Sequence, residues 1–307
     1  MIPLILGLFG ALFYLGNSEV RRFENLAARD IRANIRGDRA KVSVKTELNG
    51  LIGGPLGDLK KVTIRASNFE TDGVPLFTQP ELSKKGIIRS LRIELRDFKL
   101  GGLHIRELFS TIPECRFDYT RAITKRQIRL SHSGLGRGEV VIAEKDLEAY
   151  ILRKFGEIKK VTVKIGNDRV RVTGYGEFII LNTNFEVDAK LVASGYTKLE
   201  LADARISFDG KPADEISSKT LLSTMNPVVD LNKDLKLHDA ILVDAIELRD
   251  GVIRAEGTTR IPNQPEPDEI LGFLNVKWVP FSGTHLEEKE CVSFFTPSWR
   301  LGVASKP

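Results

Sequence analysis

The chain carries little of what catalytic chemistry is made from. Its 307 residues include two cysteines, Cys115 and Cys291, far apart in sequence. That is too few for a disulfide-stapled scaffold and gives no paired-thiol zinc spacing. Two unpaired, partly buried thiols are expected, with a Cys115–Cys291 bridge as the alternative. The four histidines, His104, His132, His238 and His285, are scattered without ligand spacing, so no metal is expected. Nucleophile-elbow, P-loop and zinc-protease helix motifs are missing. The run Gly134-Leu135-Gly136-Arg137-Gly138 lacks dinucleotide-binding spacing and leads into Glu139-Val140-Val141-Ile142. It reads as a turn between strands. Aromatics are 7% of residues and no strand carries the pattern of a base-stacking sheet, which argues against nucleic acid. No catalytic residue and no cofactor is expected.

What is present is apolar and mildly basic. With 42% hydrophobic residues the chain can bury a real core, and its net charge of +5 favours an anionic membrane surface as partner. From Ile2 to Gly16 the sequence is uncharged and mostly apolar. At ~1.5 Å per residue such a helix reaches about 22 Å, short of the ~30 Å hydrocarbon core. Residues 1–16 are therefore expected to be a signal peptide or short membrane anchor, placing the protein outside the cytoplasm in the cell envelope. Three details run against a standard signal. No cation precedes the run, Arg21-Arg22 follow it, and no small-x-small cleavage site is visible. A buried N-terminal element is the alternative.

One phrase occurs twice. Leu56-Gly57-Asp58-Leu59-Lys60-Lys61-Val62-Thr63-Ile64-Arg65-Ala66 returns as Phe155-Gly156-Glu157-Ile158-Lys159-Lys160-Val161-Thr162-Val163-Lys164-Ile165. Each copy is a glycine turn feeding a strand with one dry and one wet face. The same period-two pattern marks Lys41–Leu48, Leu91–Arg96, Arg169–Val172 after a turn at Gly166-Asn167-Asp168, and Phe185–Leu191. It slips phase within Leu199–Phe208 and within Ile241–Leu248, which predicts bulges and bent strands. Asp250-Gly251 predicts a hairpin.

Three helices are expected. Ser18 to Arg36 carries the stripe Val20, Phe23, Ala27, Ile31 and Ile35, with Gly37 to stop it. Glu144 to Phe155 carries Leu147, Ile151 and Phe155; Asp214 to Met225 carries Ile216, Leu221, Leu222 and Met225. After Ile261 a proline cluster opens a tail holding both tryptophans, Trp278 and Trp299. That tail is a membrane-interface or lid segment, or one whose aromatics dock on the main domain. The fold class is α+β: a long curved antiparallel sheet wrapped around helices. An interior left unfilled by side chains suits an acyl chain, whose burial at ~0.8 kcal/mol per methylene gives on the order of 12 kcal/mol gross for about 16 carbons.

The order of these elements resembles the LmeA-like phospholipid-binding family of bacterial envelope proteins. The residues that carry it are the basic helix, Val42-Ser43-Val44, and Leu59 to Phe69. Val140 to Leu147 and Val170-Arg171-Val172-Thr173-Gly174 complete it. The likeness spans roughly 17–262, the expected lipid-binding domain, with 263–307 a C-terminal extension. It implies a tubular lipid-binding fold like that of the bactericidal/permeability-increasing protein, and phospholipid as ligand. The glycine-rich turn Leu51-Ile52-Gly53-Gly54-Pro55 departs from relatives.

The expected function is thus non-enzymatic phospholipid binding. The dry faces expected to line the groove are Val42, Val44, Val62, Ile64, Leu91, Ile93, Leu147, Ile151, Val161, Val163, Leu221, Leu222 and Val243. Arg21, Arg22, Arg29, Lys60 and Lys61 are expected to meet headgroups. An envelope scaffold with a fully packed core is the rival reading, and an enzyme of envelope lipid metabolism a more distant one.

Overall fold

The computed structural model describes residues 20–50, 57–73, 86–124, 128–177 and 182–262. The expected leader 1–16 and extension 263–307 lie outside them. Cys291 and the turn 51–55 are outside as well. No helix among the described residues is long and apolar enough to cross a membrane.

The described chain is α+β, and it builds two sheets where the alternating patterns suggested one. The nine-stranded sheet has β1 (Lys41–Leu48), β2 (Asp58–Ser67), β4 (Gly86–Leu100), β5 (Leu103–Phe117), β7 (Gly136–Ala143), β15 (Val252–Thr259) and β14 (Ile241–Arg249) in that order. The short β3 (Glu70–Thr71) and β6 (Leu130–His132) pair with β4 and β5. The six-stranded sheet runs β12 (Lys211–Pro212), β11 (Lys198–Phe208), β10 (Asn182–Ser194), β9 (Val170–Glu177) and β8 (Ile158–Ile165), with β13 (Val229–Asp230) beside β11. The repeated phrase is divided between them. Its first copy is the interior strand β2 and its second is the edge strand β8.

Antiparallel pairing is not universal, which corrects the expectation. β2 and β4 are parallel, with Val62 opposite Leu91, Ile64 opposite Ile93 and Ala66 opposite Leu95. β3 also pairs parallel with β4. The chain between β2 and β4 is long enough for a crossover, and period-two alternation carries no record of strand direction. The two phase slips are bulges. β11 has an extra residue between the pairs Asp188–Arg205 and Lys190–Ala202, where Asp203 has φ +48°. In β14 the ladder slips between Val243 and Ala245. The β14–β15 hairpin turns on Asp250 and Gly251, both at positive φ.

The first helix, α1, is described over 20–33 and ends short of Arg36. The Asn34 side chain donates to the Asp30 carbonyl at 2.9 Å, and Arg36 leaves the helix to exchange backbone hydrogen bonds with Glu70. A short α2 (Tyr119–Thr124) follows β5. The third helix, α3 (Glu144–Lys154), and the fourth, α4 (Glu215–Met225), match their sequence patterns, α4 being capped by the Asp214 carboxylate on the Ile216 and Ser217 amides.

Helix glutamates shield the exposed sheet edges. On β8, Glu148 accepts from the Val163 amide at 2.8 Å and Glu144 from the Ile165 amide at 2.7 Å. On β1, Glu24 of α1 accepts from the Thr46 amide at 2.7 Å. Both β1 and β8 lie at sheet edges, where unpaired amides invite another chain.

Candidate functional site

Packing separates the dry faces into two kinds. The six-stranded sheet closes onto α3, α4 and the 226–240 segment, and there the apolar side chains fill space. Val163, Val172 and Val187 are fully buried, as are Ile151 and Met225. A polar cluster stitches this region. Lys154 Nζ meets Asp234 Oδ2 at 2.6 Å, and Tyr150 Oη donates to the same oxygen at 3.0 Å. Burial opposes the Asp234 charge, yet hydrogen bonds from Lys154, the Asp230 amide and Tyr150 outweigh it and hold the carboxyl below its usual range. Burial and the Asp234 charge push the Tyr150 phenol up. These groups satisfy one another, and none lines the apolar groove on the nine-stranded sheet.

The nine-stranded sheet is covered only in part. Between its inner face, α1 and the β14–β15 end runs an apolar groove with a cavity volume of about 170 Å³, partly open to solvent. Its wall from α1 is Phe23, Ala27, Ile31 and, just past the helix, Ile35. Its base is Val44, Val62, Ile64, Ala66, Leu91, Ile93, Leu95, Leu108 and Ile112; the far side is Ala240, Ile241 and Ile261. From Ile88 to Leu100 on β4 the lining extends over ~40 Å at ~3.3 Å per residue, before the strand's bends shorten it. That exceeds half of the ~30 Å core that two apposed leaflets fill. Phe23, Ile31, Ile64, Ile93, Leu95, Leu108, Ile128 and Ile241 all line the groove and remain only half-buried. Large aliphatic side chains on the dry face of a sheet normally find protein cover. Here they do not.

Polar groups in the lining are few. Ser110 Oγ and Thr259 Oγ1 lie 2.8 Å apart, joining β5 to β15 across β7. They meet because Gly138 has no side chain: a Cβ there would sit 2.6 Å from Thr259 Cγ2. Gly136 is equally constrained, its added Cβ falling 2.2 Å from the Thr111 carbonyl oxygen. The glycine run thus enters β7 itself and serves close strand approach.

Of the thirteen expected lining residues, the structure brings Val44, Val62, Ile64, Leu91 and Ile93 to the groove. The other eight lie away from it. Val42, Val161 and Leu222 pack half-buried against the larger core, and Leu147, Ile151, Val163, Leu221 and Val243 lie buried in it. Their stripes are as apolar as the groove's, but α3, α4 and the second sheet cover one another. Sequence reasoning missed Leu95, Leu108, Ile112, Ile241 and Ile261, though Leu95 sits on the same alternation as Leu91 and Ile93. Of the expected headgroup cations, Arg21, Arg22, Arg29 and Lys60 are exposed, and Lys61 lies near Glu47 at 3.8 Å; none lines the groove.

Cys115 is a free thiol, completely buried in the smaller core cluster and pushed up to about 12 by burial. Among the described residues no cluster of three His, Cys, Asp or Glu side chains is arranged to hold a metal.

A family model described as LmeA-like phospholipid-binding matches residues 84–258, more than half of the chain. The match begins just before β4 and ends in β15, so α1, β1 and β2, with the Val42 to Phe69 stretch, lie outside it. No curated protein and no solved structure matches the chain.

Proposed function

Since the chain belongs to the LmeA-like phospholipid-binding family, we propose that its groove holds the acyl chains of a phospholipid for carriage or presentation, without chemistry on the lipid. The observation that carries this reading is the row of half-buried aliphatic side chains along the groove. Left to water they lose the burial that ~25 cal/mol per Å² of apolar surface rewards, and a hydrocarbon tail restores it. On the proposal the fold is of the tubular lipid-binding kind, with α1 as one wall. The basic face of α1 and the net positive charge suit an anionic membrane as donor or acceptor. The uncharged run Ile2–Gly16 supports a place in the envelope outside the cytoplasm.

The test is native mass spectrometry of the purified full chain, followed by lipid extraction. Adducts of phospholipid mass that disappear on denaturation are expected. A clean apoprotein that also takes up nothing from phosphatidylglycerol vesicles would instead make the protein an envelope scaffold.

A further inference from the structure

Among the described residues, two of those lining the groove carry charge, Asp30 on α1 and Arg260 just after β15. Their situations differ. The Asp30 carboxylate is engaged: Arg129 Nη1 lies 3.3 Å from its Oδ2, and the Ile128 amide 3.5 Å. The Arg260 guanidinium is hydrogen-bonded through its inner nitrogen alone and forms a longer ion pair through Nη2. Nε donates to the Asp239 carbonyl at 2.9 Å, while the nearest carboxylate oxygen, Asp239 Oδ2, stands 3.6 Å from Nη2. The other oxygen of Asp239 takes the Asn232 side-chain amide at 2.7 Å. Among the described residues, Nη1 and Nη2 of Arg260 make no hydrogen bond, and the side chain is 43% exposed.

The backbone around this arginine is fixed. The Arg260 amide donates to the Ala240 carbonyl at 2.9 Å, and the Ile261 amide to Ser133 Oγ at 2.9 Å. Thr259, Ile261 and Ile241, its neighbours in chain and ladder, all line the groove. A planar donor fork is therefore held at the edge of an apolar slot, hydrogen-bonded through Nε and loosely ion-paired through Nη2, with neither terminal nitrogen in a hydrogen bond. That fork matches two oxygens of a phosphate group.

We infer that Arg260 is the specificity-determining residue of the groove, taking the phosphate of an anionic lipid whose tails lie against Ile241 and Ile261. The assignment rests on the acyl-chain reading of the groove. It deepens that reading by giving the phosphate contact to one residue, on which the preference for a phosphodiester or phosphomonoester lipid over a neutral glyceride with the same tails then depends.

The experiment compares dioctanoyl phosphatidylglycerol with dioctanoylglycerol, titrated calorimetrically into the full chain, R260Q and R260K. The wild type is expected to prefer the phospholipid by about tenfold or more, the scale of a charge-assisted bidentate contact. R260Q should lose that preference while binding the glyceride within about twofold of wild type, which also shows the variant folded; R260K, a point charge without the fork, should retain only part of it. Wild-type binding that is equal for the two lipids overturns the assignment without any variant, as does an undiminished preference in R260Q. Binding of neither lipid by the wild type overturns the groove reading and this assignment together, an outcome distinct from tight binding without phosphate preference.

Discussion

Ile93→Trp separates an open groove from a sealed core. Ile93 sits mid-groove on β4, half-buried, with Leu91 and Leu95 on the same face. A void of about 170 Å³ carries, at ~24 cal/mol per Å³, an unrealised stabilisation of about 4 kcal/mol. A tail that fills it gains up to about a thousandfold in affinity, and an indole already in the space removes that gain. The free variant should therefore melt within about 2 °C of wild type, since the added ring occupies a vacancy. If the interior were sealed, overpacking would cost ~1–3 kcal/mol, a fall of roughly 2–12 °C for a folded unit of this size. The assay is thermal unfolding with and without dioctanoyl phosphatidylglycerol. At about 100 times its dissociation constant, lipid stabilises the wild type by ~2.7 kcal/mol, or roughly 5–11 °C. That shift should vanish in the variant. A variant that melts low without lipid and still gains the full wild-type shift would refute the reasoning.

Three further outcomes are expected. Glu148→Ala removes the acceptor for the Val163 amide on an edge strand, so it should lower stability by about 1–2 kcal/mol in urea unfolding and raise self-association in light scattering, with Glu148→Gln close to wild type. Asp234→Asn strips Lys154 and Tyr150 of their charged partner and should cost about 2–3 kcal/mol near neutral pH. Because the folded Asp234 pKa is lowered, its contribution is present above the ordinary carboxylate value of ~3.9 and lost as pH falls past it. The gap between wild type and variant should therefore close below about pH 4, and a gap that widens in acid contradicts the network. Cys115, buried and pushed up to about 12, should resist a thiol-specific disulfide reagent at pH 8 until the protein unfolds, as followed by peptide mass mapping that separates it from Cys291.

Much of the local structure was legible from residue order, because strand and helix periods are written within a few residues. The hairpin at Asp250-Gly251, the bulges in β11 and β14, and the extents of α3 and α4 all follow from such short-range rules. The groove was legible only in part. Val62 and Ile64 in β2 alternate just as Val161 and Val163 do in β8, within nearly the same phrase. The first pair lines the groove and the second lies in packed core.

Sequence alone determined that each strand has a dry face, that α1 has an apolar stripe, and that the chain carries no recognised catalytic motif. Tertiary structure decided what each dry face meets. The apolar preference is non-directional: it requires that a face be covered without specifying the cover. The parallel crossover from β2 to β4, the closure of the second sheet onto α3 and α4, and the partial cover given by α1 are set by partners tens of residues away. Those distant neighbours leave Ile93 and Leu95 only partly covered and bring Arg260 to the edge of the slot.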